Sequence, residues 1–134
     1  MSLKTIWVID DDPIYQIIVN KIIQKSELFS SVSSFINGKD AIDAIDALKK
    51  SLENNEMPPN IILLDINMPI MDGWEFMEEM VLLKSQINEL IHIYIVSSSI
   101  AFEDKSKAKN YSEIIAYLSK PVNSNDLTLI AANY

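Results

Sequence analysis

Short apolar blocks recur along the chain, separated by longer stretches in which apolar residues return every three or four positions. Ile6-Trp7-Val8-Ile9, Ile61-Ile62-Leu63-Leu64, Ile93-Tyr94-Ile95-Val96 and Ile114-Ile115-Ala116-Tyr117-Leu118 are continuous and rich in β-branched or aromatic residues. Apolarity that does not alternate marks a strand buried on both faces, as in a parallel sheet. Ser31-Val32-Ser33-Ser34-Phe35-Ile36 is more polar and predicts a further strand nearer an edge. Between the blocks, three helical stripes are predicted: Ile14, Ile17, Ile18 and Ile22; Ile42, Ile45 and Leu48; and Trp74, Met77 and Val81. A fourth helix is expected around 102–110, where Lys105, Lys107 and Lys109 interrupt any stripe, and a short fifth from about Asn125. Asp12-Pro13 supplies a cap and a first-turn proline, and Asp72 precedes Glu75 at capping-box spacing.

Strand and helix alternating five times predict an α/β domain with a five-stranded parallel sheet flanked by five helices. Right-handed crossovers favour a doubly wound, flavodoxin-like order 2-1-3-4-5. The 134 residues are read as one domain, with no repeat and no linker. The polar, proline-ended stretch Glu53–Pro59 is a loop, too short to separate domains. The longest apolar run, Ile114–Leu118, is far below the roughly 18 residues that suggest a membrane span. No signal peptide is evident, so a cytoplasmic location is expected. Without cysteine, thiolate catalysis, disulfides and cysteine metal sites are excluded. Eleven lysines against 19 acids leave a net charge of −8, which argues against binding nucleic acid.

In an open parallel sheet, ligands bind beyond the carboxyl ends of the strands, where the strand order reverses. Asp10 and Asp11 follow the first block, Asp65 follows the central one, Ser97 follows Ile93–Val96, and Lys120-Pro121 comes one residue after the last. Singly, each residue reads as a strand exit or a turn. Jointly, they converge on one edge of the sheet. Three neighbouring carboxylates either raise a pKa or bind a cation, and Mg2+ suits one or two carboxylates, water and a phosphate oxygen. A carboxylate nucleophile, a metal, a lysine and a hydroxyl together make a site that could form an aspartyl phosphate.

Asp10-Asp11, the Asp-x-x-Met-Pro-x-x-Asp-Gly stretch from Asp65 to Gly73, Val96-Ser97 and Lys120-Pro121 resemble the receiver domain of two-component response regulators. The resemblance runs from about Lys4 to Leu129. It implies Asp65 as phosphoacceptor, with Mg2+ held by Asp11 directly, by Asp10 through water, by Asp65 and by the Asn67 backbone carbonyl. It further implies that Ser97 and Lys120 bind the phosphoryl group, that Tyr117 is the aromatic switch partner of Ser97, and that Lys120-Pro121 is cis. The implied phosphodonor is a sensor histidine kinase or a histidine phosphotransfer protein, and the output is control of a further protein. Such a receiver is a switch, not an enzyme, beyond chemistry at its own Asp65. Serine at position 97, where threonine is commoner, keeps the hydroxyl and loses a methyl. The loops 53–60 and 84–90 look longer than in the smallest members.

Two other classes compete. Asp10-Asp11-Asp12 contains the Asp-x-Asp pattern of haloacid dehalogenase-like phosphatases, which also use an aspartyl phosphate and Mg2+. That reading requires Thr or Val where Ile14 stands, needs an acidic pair after Lys120 where only Asp126 occurs, and leaves Asp65 unexplained. A nucleotide or flavin module would need a glycine-rich loop, but only Gly38 and Gly73 are present. His92, the lone histidine, reads as a strand-entry residue with a satisfied ring. Trp7 and Trp74 read as core aromatics, and Met68, Met71, Met77 and Met80 as loop and core packing.

Overall fold

The computed structural model describes residues 3–37, 39–83, 86, 91–98 and 102–134. Strands and helices alternate strictly: β1 (Lys4–Ile9), α1 (Pro13–Ser26), β2 (Phe29–Phe35), α2 (Asp40–Glu53), β3 (Ile61–Leu64), α3 (Gly73–Leu83), β4 (His92–Ser97), α4 (Phe102–Ala108), β5 (Ile114–Ser119) and α5 (Ser124–Ala132). All strand pairs are parallel, in the order β2-β1-β3-β4-β5. The predicted sheet order is therefore the observed one. Of the expected loop over 84–90, all but Gln86 lies outside the described residues, as does Ser99.

The sheet separates two apolar layers, because successive residues of a strand point to opposite faces. Ile9, Ile62, Leu64, Ile93 and Ile95 pack with Ala44, Leu48, Phe76 and Met77 of α2 and α3. Ile6, Val8, Ile61, Leu63, Tyr94 and Val96 pack with Val19, Ile23, Leu127 and Ile130 of α1 and α5. Burying each Val, Leu, Ile, Met or Phe of these layers contributes about 1.5–3 kcal/mol against exposure, so they hold the sheet between its helices. Met68, Met77 and Met80 are buried in the first layer and Met71 packs against it, as their packing role predicted.

Three expectations about side-chain facing are corrected. In α1, Ile14, Ile17 and Ile18 are 69%, 59% and 47% exposed, and the buried face is Tyr15, Gln16, Val19 and Ile23. The helix starts at a cap in which the Asp12 carboxylate accepts from the backbone N–H groups of Ile14 and Tyr15. With isoleucine on nearly every side, apolar spacing alone could not choose the face. In α3, Val81 is exposed and Met80 takes its place beneath Trp74 and Met77. β5, for all its continuous apolarity, is an edge strand, and Ile115 is 43% exposed.

His92 does open β4, at the amino edge of the sheet, with its ring packed against a neighbouring aromatic and one ring nitrogen left unpartnered. Its centroid lies 4.8 Å from the Tyr134 ring, Nδ1 is buried without a partner, and burial lowers the pKa, favouring the neutral imidazole. Trp7 is only half-buried, 4.9 Å from Phe35, whereas Trp74 is buried and donates to Asp104 at 3.3 Å.

Candidate functional site

The carboxyl ends of β1, β3, β4 and β5 deliver the candidate residues to one edge. Backbone hydrogen bonds hold them there: Asp10 N–H donates to Phe35 at 3.1 Å, Asp65 N–H to Ile9 at 2.9 Å and Lys120 N–H to Ser97 at 3.0 Å. Asp10 is 2% exposed; one of its oxygens accepts from the Asp12 N–H at 2.9 Å and the other lies 2.6 Å from Lys120 Nζ. Asp65, 7% exposed, is 3.8 Å from the same ammonium. Asp11 is partly exposed beside them, and one oxygen of each of Asp10, Asp11 and Asp65 falls within a 4.8 Å cluster.

This crowding has an electrostatic consequence. Burial, then the Asp10 charge, pushes the Asp65 carboxyl up to about 6, with Lys120 and the Asn67 backbone pulling the other way. All three donors are hard oxygens, and two of the carboxylates are kept from water. A small divalent cation that retains part of its water shell satisfies such a set, so the residues present fit Mg2+. Asn67 lies two residues beyond Asp65 with its side chain exposed, which leaves its backbone as the part near the cluster.

Ser97, the last residue of β4, is 1% exposed. On β5, Tyr117 is paired with Ile95 and Ser119 with Ser97. Burial raises the Tyr117 pKa while the Ser97 side chain lowers it, so the two side chains are close although the phenol oxygen makes no hydrogen bond of normal geometry. The Lys120-Pro121 bond is cis.

The β3–α3 loop shows why the motif ends in Asp-Gly. Asp72 and Glu75 form a reciprocal cap, with Glu75 N–H to Asp72 at 2.9 Å and Asp72 N–H to Glu75 at 3.3 Å. Gly73 N–H donates to the Ile66 carbonyl at 2.8 Å, and a Cβ at position 73 would come within 2.7 Å of the Asp65 carbonyl oxygen. The backbone of α3 thus lies against the residue that closes β3. Gly73→Ala should therefore destabilise the fold by about 1–3 kcal/mol, the range for forced overpacking, readable as a lower urea midpoint at unchanged slope. A midpoint equal to wild type would show that the loop yields freely.

Two contributors escape the sequence reading, both on the unexpected face of α1. Gln16 is buried, and its side-chain amide lies 3.1 Å from the Val8 carbonyl and 3.2 Å from those of Asp10 and Phe35, tying the ends of β1 and β2 together. The Tyr15 ring centroid is 4.6 Å from Lys120 Nζ. Burial pushes its phenol up to about 12, so it stays protonated at neutral pH. Apolar spacing gave no signal for them, because the isoleucines offer an equally good stripe and the Asp12 cap marks only where the helix starts.

The family of response regulator receiver domains matches residues 6–132, and the chain belongs to it. A two-component response regulator from Cytophaga hutchinsonii is 27% identical, superposes with a TM-score of 0.79 and is matched over 100% of both chains. A response regulator receiver protein from Dyadobacter fermentans is also 27% identical, at a TM-score of 0.78, over 96% of this chain and 93% of that one. A protein-glutamate methylesterase/protein-glutamine glutaminase of Treponema pallidum is 27% identical over 126 residues, covering 92% of this chain. The chain spans 28% of that relative's length. This chain is thus a phosphoacceptor receiver of two-component signalling, a family of switches that generally bind Mg2+ in an acidic pocket and interact with histidine kinases or phosphotransfer proteins. Neither the sheet nor these relatives favour the haloacid dehalogenase-like reading. Among the described residues, no helix is long and apolar enough to cross a membrane.

Proposed function

We propose that Asp65 is the phosphoacceptor of a single receiver domain spanning residues 1–134, charged by a sensor histidine kinase or a histidine phosphotransfer protein. The observation that carries this reading is the cluster of Asp10, Asp11 and Asp65 within 4.8 Å, with Lys120 against two of them. Asp11 and the Asn67 carbonyl would hold Mg2+ with Asp65, and Asp10 would hold it through water. When bound, the ion neutralises charge on the phosphoryl oxygens. With its pKa near 6, Asp65 is mostly ionised at neutral pH, so a carboxylate oxygen can form the O–P bond as the donor's P–N bond breaks and the imidazole leaves with a proton.

Lys120 then follows the new charge from Asp10 toward a phosphoryl oxygen. The Ser97 hydroxyl donates to another by a charge-assisted bond. Movement of Ser97 changes the contact between its side chain and the buried Tyr117 phenol, which alters the surface made by α4, β5 and α5. Such a switch biases two states a few kcal/mol apart and so controls a downstream protein. The role is that of a cytoplasmic switch rather than an enzyme with an external substrate.

Intact-mass measurement after incubation with Mg2+ and acetyl phosphate tests the reading. Wild type should gain one phosphoryl group, Asp65→Asn none, and Asp11→Ala should be labelled about tenfold or more slower while losing most Mg2+ binding. Equal labelling of all three proteins would reject it.

A further inference from the structure

Lys120 leaves the edge strand β5 with its ammonium between unequal neighbours: Asp10 at 2.6 Å, Asp65 at 3.8 Å and the Tyr15 ring at 4.6 Å from the centroid. We propose that Tyr15 is a positioning residue for Lys120, its ring holding the ammonium over the carboxylate cluster so that the lysine can reach a phosphoryl group on Asp65. This rests on the reading of Asp65 given above.

Several features support it. Tyr15 is 9% exposed and packed among Val8, Val19, Val96, Val122 and Leu127, so its ring is a fixed wall rather than a mobile neighbour. Its place is also tied to the acidic loop. Tyr15 N–H donates to the Asp12 carboxylate at 3.2 Å, and Asp12 N–H donates to Asp10 at 2.9 Å, so ring and acids share one chain of caps. The hydroxyl is buried beside the Val122 backbone without a hydrogen bond of normal geometry.

The ring also suits the motion that Lys120 must make. A carboxylate holds an ammonium at one distance and direction, and Asp10 is the nearer by more than an ångström. The attraction of an aromatic face falls off gently out to about 6 Å. Lys120 can therefore slide from Asp10 toward Asp65 without losing the contact that keeps it out of water. Without the ring, the lysine would share its time between Asp10 and solvent, since its side chain is already 16% exposed.

The test uses the whole chain, with Tyr15→Phe and Tyr15→Leu. In wild type, Lys120 Hε protons should show cross-relaxation to the Tyr15 ring and an upfield ring-current shift. Tyr15→Phe should keep that shift and most of the labelling rate. Tyr15→Leu should lose the shift and be labelled about fivefold to tenfold slower from acetyl phosphate with Mg2+ in excess, the factor expected for a partly desolvated cation–π contact. A Lys120 shift unchanged in Tyr15→Leu, or a labelling rate equal to wild type, overturns the role of Tyr15 while the reading of Asp65 stands. Failure of wild type to be labelled overturns both. Should Tyr15→Leu fold poorly, absence of the Lys120–Tyr15 cross-relaxation in wild type is by itself decisive against the proposal.

Discussion

In metal-free buffer at pH 7, Asp65→Asn should be more stable than wild type by about 1–2 kcal/mol, a rise of several degrees in Tm. The cause is the raised carboxyl at position 65, lifted from 3.8 to about 6 by burial first and the Asp10 charge second. A group whose pKa is higher folded than unfolded binds more protons in the folded state between those values. Its favourable contribution is therefore complete below about pH 4 and lost as pH rises through 6. Two pKa units correspond to at most about 3 kcal/mol, and the asparagine amide, which must find its own partners in a 7% exposed position, takes back part of this. Thermal melts in EDTA from pH 4 to 8 check the sign. The advantage of Asp65→Asn should grow between pH 4 and 6 and level off above. A difference independent of pH would mean that packing, not charge, separates the two proteins.

Lys120→Met should have the opposite effect, a loss of about 2–3 kcal/mol. Lys120 is the cation 2.6 Å from Asp10, whose carboxylate is 2% exposed and otherwise accepts from the Asp12 N–H. Removing one partner of a buried pair leaves an uncompensated charge, at a cost of about 3–5 kcal/mol, reduced here because the lysine side chain is 16% exposed. Labelling should also slow by about a hundredfold, since a positioned cation no longer meets the charge that develops on the phosphoryl oxygens. The double variant Asp10→Asn with Lys120→Met separates these effects. It should recover most of the stability and none of the rate. If stability stays low in the double variant, the loss comes from the lysine's packing and not from the stranded acid.

Much of this site was legible because each of its principal residues follows an apolar run, directly or, for Lys120, one residue on. A run buried on both faces predicts a parallel strand, and parallel strands send their carboxyl ends to one edge. Hence the sequence alone brings Asp10, Asp65, Ser97 and Lys120 to one edge, and in the structure the hydrogen bonds from Asp65 to Ile9 and from Lys120 to Ser97 close that edge. The face of α1 was not legible in its apolar residues. Ile14, Ile17 and Ile18 make as good a stripe as Tyr15, Val19 and Ile23, and the Asp12 cap, which marks where the helix starts, does not choose between them. That ambiguity concealed Gln16 and Tyr15, the two residues of the helix that reach the ends of β1 and the lysine. For β5 the difficulty lies elsewhere: an edge strand half-covered by helices can be as apolar as a central one, so composition alone does not report its exposure.

The central claim is that Asp65, and no other acid of the cluster, carries the phosphoryl group. Borohydride reduction of the freshly labelled protein converts an aspartyl phosphate to homoserine, and peptide mass spectrometry then locates it. Homoserine should be found at position 65 alone, and only in samples that contained both Mg2+ and phosphodonor. Homoserine at position 10 or 11, or its absence from a protein that has gained phosphoryl mass, would contradict the account.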